Sequence, residues 1–245
     1  MKESRNYGNC HTTTNNRGVT VSLSKASRDF VEFTSQIDKP AIDMGCAFGV
    51  ATLPVLKKRK HIIACDLSEE HLATLRQETP KELLPYLQTQ AGCFPQDFQF
   101  EESSIGAIHC SHLLHFLTGD ELMEGLAKFK SWLCPNGKLF INVGTPDIPT
   151  FGDFPKEYER RKTTRKWPGE LSKEDLDKYM VPEYVEWIGP DAMFSFCHAF
   201  DKDILSRALT QSGFHIDEIY IFTLEADGDL GRFMGKNAHL SAIAH

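Results

Sequence analysis

The chain lacks most of the features that would assign a protein on sight. No apolar run is long enough to span a bilayer, and no charged-then-apolar leader opens the sequence, so a membrane protein is not expected and a cytoplasmic one is. The seven cysteines, Cys10, Cys46, Cys65, Cys93, Cys110, Cys134 and Cys197, are odd in number and never spaced C-x-x-C, which points away from a disulfide framework and from a zinc site. No metal ligand set is expected. An excess of positive charge is also missing: the formal net charge is −7, so bulk attraction to nucleic acid or anionic lipid is not expected. The one glycine-rich turn lacks both the Gly-Lys-Ser/Thr ending of a phosphate loop and the G-x-G-x-x-G spacing of a dinucleotide fingerprint.

What is present is an ordinary globular composition, 245 residues long and near the upper end for one domain. Residues 1–23, polar and rich in Asn and Thr at their start, are expected to form a flexible arm before a single domain over 24–245. From Ser24 the pattern is helical, with Phe30, Val31, Phe33 and Ile37 on one face. Pro40–Leu56 then reads as a strand, a turn holding Gly45 and Gly49, and a helix; glycines there permit positive φ and a close backbone approach. A second strand ends at Asp66, 21 residues after Gly45, which matches the offset at which an acid meets ribose hydroxyls.

Further strands are expected at Leu87–Gly92, Ile105–Cys110 and Lys138–Val143, and Ser68 and Thr118 with Glu121 read as helix N-caps. The alternation breaks at Gly144-Thr145-Pro146. An insert or lid over 146–200, holding two short helices and many aromatics, separates it from a helix capped by Asp201 and a strand over Phe214–Phe222. Leu240–Ala244 follows through a Gly-rich loop too short for a helical crossover, which favours an antiparallel pair. The fold class is therefore α/β: a Rossmann-like, doubly wound seven-stranded sheet with a C-terminal antiparallel strand pair.

Asp43 two positions before Gly45-Cys46-Ala47-Phe48-Gly49, with Asp66 at its offset, resembles the first motif of class I S-adenosylmethionine-dependent methyltransferases, Ala47 standing for the middle glycine. The order of elements resembles that family from about residue 24 onward. The resemblance implies S-adenosylmethionine as cofactor, with Asp43 and the backbone of Gly45, Cys46, Ala47 and Gly49 at its methionine end. It also implies Asp66 on the ribose, Leu67 on the adenine, and Cys93, Phe94, Cys110 and Ser111 around the site. Cys93 stands where many relatives carry an acid for the adenine edge, which leaves that contact to a backbone carbonyl, Gln96 or Asp97. His112, His115 and His198 are the candidate acid/base residues. Methyl transfer to a small molecule is the favoured function, with protein and RNA acceptors also open. A non-catalytic cofactor-binding scaffold for a partner protein and a nicotinamide-dependent oxidoreductase are the alternatives. Arg160, Arg161, Lys162, Arg165 and Lys166 read as a solvated face rather than a nucleic-acid grip, because acidic residues surround them.

Overall fold

Apolar runs that alternate with amphipathic stretches build a layered molecule, and the computed structural model describes residues 6–7, 10–12, 19–20, 22–189 and 194–245 of it. Near the start, β1 (Asn6–Tyr7), β2 (Cys10–Thr12) and β3 (Val19–Thr20) pair into a small antiparallel sheet. The rest of the expected arm through residue 21 lies outside the described residues.

Helix α1 (Lys25–Phe33) starts where Ser24 accepts the backbone N–H of Ser27. There follow β4 (Ala41–Met44), α2 (Thr52–Lys57), β5 (Ile62–Asp66), α3 (Glu69–Glu78), β6 (Leu87–Ala91) and β7 (Ile105–Ser111). Helix α4 (Gly119–Trp132) carries the Thr118/Glu121 capping box and buries Leu122, Leu126, Phe129 and Trp132 along one stripe, as its 3.6-residue period requires. Strand β8 (Leu133–Gly144) begins earlier than Lys138. Pro135-Asn136-Gly137 does not end it but bends it, with Asn136 at φ 66° and the register against β7 shifted between Ile105 and Ala107.

The insert holds three helices rather than two, α5 (Phe154–Lys162), α6 (Lys173–Tyr179) and α7 (Pro182–Ile188), together with a two-stranded sheet of β9 (Glu170–Leu171) and β10 (Cys197–His198). The chain closes with α8 (Lys202–Gln211), β11 (Ile216–Phe222), α9 (Gly228–Met234) and β12 (His239–Ala244). The loop before β12 thus holds one short helix, yet the connection stays antiparallel.

The main sheet runs β11-β12-β8-β7-β4-β5-β6, and β12 is antiparallel to both of its neighbours. Period-two alternation sends Ala107 and Phe140 to the face covered by Phe30, Val31, Val55 and Leu56. Ile108, Cys110, Leu139 and Ile141 point to the opposite face, where α4, α8 and the insert pack. Helices on both faces leave the carboxyl ends of β4, β5 and β7 as the place for a ligand.

Candidate active site

The turn after β4 is fixed by its own backbone. Gly45 and Cys46 donate to the Cys65 carbonyl at 2.8 and 3.0 Å, and Gly49 donates to the Cys46 carbonyl at 2.8 Å. Gly45 and Gly49 sit at φ 77° and 79°, and a Cβ would stand 2.8 Å from Leu113 Cδ1 at the first and 2.4 Å from Leu75 Cδ1 at the second. Both glycines are therefore required by conformation and by space. Ala47 holds φ 46° without being glycine, a conformation that carries strain and suits a functional turn.

Two carboxylates brace this turn. Asp43, 2% exposed, accepts the Thr52 hydroxyl at Oδ2 (2.7 Å) and faces His109 Nδ1 at Oδ1 (2.8 Å). Because a carboxylate is acceptor-only, the nitrogen facing it carries the hydrogen. Asp66 accepts the Ala47 N–H at Oδ2 (2.8 Å) and, at Oδ1, the Ser68 N–H (2.9 Å) and His71 Nδ1–H (3.0 Å). Three of about four acceptor positions on Asp66 are thus taken, and one remains for a ribose hydroxyl. The adjacent Leu67 is 68% exposed, an apolar surface beside the acid. A glycine turn, an acid with a spare lone pair and an open apolar platform together fit a nucleoside-bearing ligand.

At the end of β6, Asp97 accepts the Cys93 N–H at 2.8 Å, so a carboxylate does stand at this corner, supplied four residues downstream. The Cys93 thiol is exposed, and burial with Asp97 and Glu121 pushes its pKa up. Phe94 turns inward and stacks on Phe129 at 4.7 Å, leaving its backbone as the part nearest the corner. Cys46 and Cys110 are buried, with their thiols raised first by burial and then by Asp43. Ser111 Oγ accepts from Asn142 Nδ2 at 3.1 Å.

Directly after β7 the chain enters a histidine cluster. His112 adopts φ 55° and its N–H bonds the Asn142 carbonyl at 2.8 Å. Its ring lies 5.9 Å from His115 and 5.4 Å from His239, centroid to centroid. His239, on β12, is 1% exposed, and neither ring nitrogen finds a hydrogen-bond partner among the described residues. Burial, followed by the neighbouring histidines, pushes His115 down to about 4 and His112 well below its ordinary value. Burial alone does most of the same to His239, also about 4. All three imidazoles are neutral near pH 7. Among the described residues no group of three or more His, Cys, Asp or Glu is arranged to hold a metal ion.

His198 borders this set from the insert and helps to lower His115. Its Nδ1–H bonds the Leu117 carbonyl at 3.0 Å, its ring stacks on Phe200, and burial lowers it to about 4. It pins the insert to the segment after His115, and Glu170 does likewise by accepting the Gly119 N–H at 2.7 Å. Phe116, 51% exposed, lies 4.2 Å from His115 and meets Phe194 of the insert edge-on at 6.1 Å. Three members of the basic run are paired, Arg160 with Glu157 and Arg161 with Glu157 and Asp175 inside the insert, and Lys162 with Asp201 just beyond it.

His109 and His239 were not legible as site residues. Their place depends on strand order, since β7 neighbours β4 and β12 is wedged beside β8.

Residues 41–137 match the family model described as a methyltransferase domain. No curated protein matches the sequence. A solved S-adenosylmethionine-dependent methyltransferase from Methanosarcina mazei is 17% identical at a TM-score of 0.65, over 91% of this chain and 98% of its own. One from Mesorhizobium loti is 16% identical at 0.60, over 90% and 98%. A geranyl diphosphate methyltransferase bound to its diphosphate and sinefungin is 10% identical at 0.61, over 89% and 76%. At these identities the likeness is one of fold.

Proposed function

We propose that this chain, in which residues 41–137 match a methyltransferase domain, is a class I S-adenosylmethionine-dependent methyltransferase and that it methylates a small molecule with an apolar body, held between the His112–Phe116 segment and the insert. The observation that carries this reading is the placement of neutral His112 and His115 beside the glycine turn, where Leu113 already packs within reach of Gly45. When bound, the cofactor supplies a methyl activated by its sulfonium. The protein's part is to bind, orient and exclude water. Holding the acceptor in line with the methyl supplies much of the rate.

In this reading Asp66 accepts a ribose hydroxyl, Leu67 packs against adenine, Asp97 and the Cys93 backbone meet the adenine edge, and the Gly45–Gly49 backbone holds the methionine end. Asp43 serves from behind, by bracing the turn. Where the acceptor carries a proton, His115 takes it, because it is unprotonated at neutral pH and lies next to exposed Phe116. Phe116 and Phe194 favour an apolar substrate body over an extended charged polymer. Cys46, Cys65, Cys93, Cys110, Cys134 and Cys197 are all free thiols, which suits a reducing, cytoplasmic location.

Calorimetric titration with S-adenosylmethionine tests the reading. The expected result is saturable binding that weakens about tenfold or more in Asp66→Ala, the scale set by losing a hydrogen bond to a charged group. No binding by folded protein would overturn the reading, and binding of a nicotinamide cofactor instead would favour the oxidoreductase.

A further inference from the structure

Behind the turn lies a buried polar chain built from residues far apart in the sequence. His109, on β7, faces Asp43 with Nδ1 at 2.8 Å and Ser27, on α1, with Nε2 at 2.9 Å. The three residues are 5%, 2% and 3% exposed. Ser27 Oγ also lies 3.1 Å from Ser24 Oγ and accepts Asn142 Nδ2–H at 3.1 Å, while Asn142 Oδ1 accepts from Ser24 (3.0 Å) and Ser241 (2.6 Å). The path therefore runs from the cofactor turn, through the middle of the sheet, to the N-cap of α1.

The Asp43–His109–Ser27 order has the connectivity of a hydrolytic triad. It cannot act as one. Ser27 is sealed from solvent, and its oxygen is already shared among three neighbours, so no acyl group could reach it. What the chain does control is geometry. Asp43 sits next to the last residue of β4, and through Oδ2 it grips Thr52 in the first turn of α2. One carboxylate thus spans both ends of the Gly45–Gly49 turn. The direction of that carboxylate is set by His109, whose ring is itself held flat against Phe30 at 5.0 Å.

We propose that His109 is a positioning residue for cofactor binding: it orients Asp43 so that the two ends of the Gly45–Gly49 turn are clamped in the binding conformation, and Ser27 anchors that imidazole to α1. The inference rests on the reading above, in which this turn holds the methionine end of S-adenosylmethionine. A hydrogen bond to a buried carboxylate is worth far more than one at the surface, and the carboxylate left without it must find another partner by moving. The turn moves with it.

The test is S-adenosylmethionine binding by calorimetry, at a temperature well below each variant's unfolding midpoint, in His109→Phe, His109→Asn and Ser27→Ala. Phenylalanine keeps the ring against Phe30 and removes both hydrogen bonds; asparagine keeps a donor near the Nδ1 position. The expected result is binding weakened about tenfold or more in His109→Phe, restored to within about threefold in His109→Asn, and intermediate in Ser27→Ala. A residue that serves stability alone would lower the unfolding midpoint while leaving the affinity of the folded protein unchanged, and that outcome overturns the proposal. So does a His109→Asn variant as weak as His109→Phe. Should His109→Phe fail to fold, Ser27→Ala and His109→Asn still decide it, because native affinity in the first with tenfold loss in the second contradicts the asparagine rescue. Failure of the unaltered protein to bind S-adenosylmethionine would instead strike the function reading, which keeps the two failures apart.

Discussion

At the residue scale the histidines dominate. His112, His115, His198 and His239 are all held below the ordinary imidazole range, and burial is the first cause for each. Above about pH 6.5 they are neutral both folded and unfolded. As the pH falls from 6.5 towards 4, the unfolded chain binds protons that the folded protein refuses, so stability falls with pH across that window. Each such imidazole contributes a slope of at most about 1.4 kcal/mol per pH unit. The urea midpoint should therefore drop steeply between pH 6.5 and 4.5, and His239→Phe should make the drop shallower. An equal slope in that variant would place the effect elsewhere. The same residues mark the limit of what the sequence discloses: Asp43, Gly45, Gly49 and Asp66 were legible as candidates because their spacing along the chain is their signal, and Leu67 followed from the resemblance alone. His239 was not, since only the tertiary neighbourhood of β12 brings it to His112.

At the element scale the insert behaves as a braced unit rather than a loose flap. Arg161, 3% exposed, bonds Glu157, Asp175 and the Glu170 carbonyl, and so joins α5, α6 and β9 through one side chain. Its replacement by Ala takes the cation from Asp175 and one of two from Glu157, leaves the Glu170 carbonyl without its donor, and should loosen the three elements locally. The expected readout is faster amide exchange over residues 154–179, with β4, β7 and β8 protected as before; exchange rising across the whole sheet would show that Arg161 is not a local brace. Helix starts here were legible from Ser24, Ser68, Thr118 and Asp201, whose side chains cap as their types require. The third insert helix and the β9/β10 pair were not, because short elements owe their existence to packing more than to propensity.

At the scale of the whole molecule, the seven-stranded architecture and its C-terminal antiparallel pair were legible because alternating units followed by a short connection admit few topologies, whereas the order of the strands was not. The position of β12 has the largest consequence. Although it follows every other strand in the chain, β12 lies inside the sheet, bonded to β8 on one side and β11 on the other. During synthesis on the ribosome, both of those neighbours must wait with bare edges until residues 239–244 emerge. The nascent chain is then most exposed to sticking to other chains just before that segment emerges. The same arrangement makes the strand a natural cut point: a chain ending before it would keep an empty slot that a separate peptide of residues 236–245 is shaped to fill.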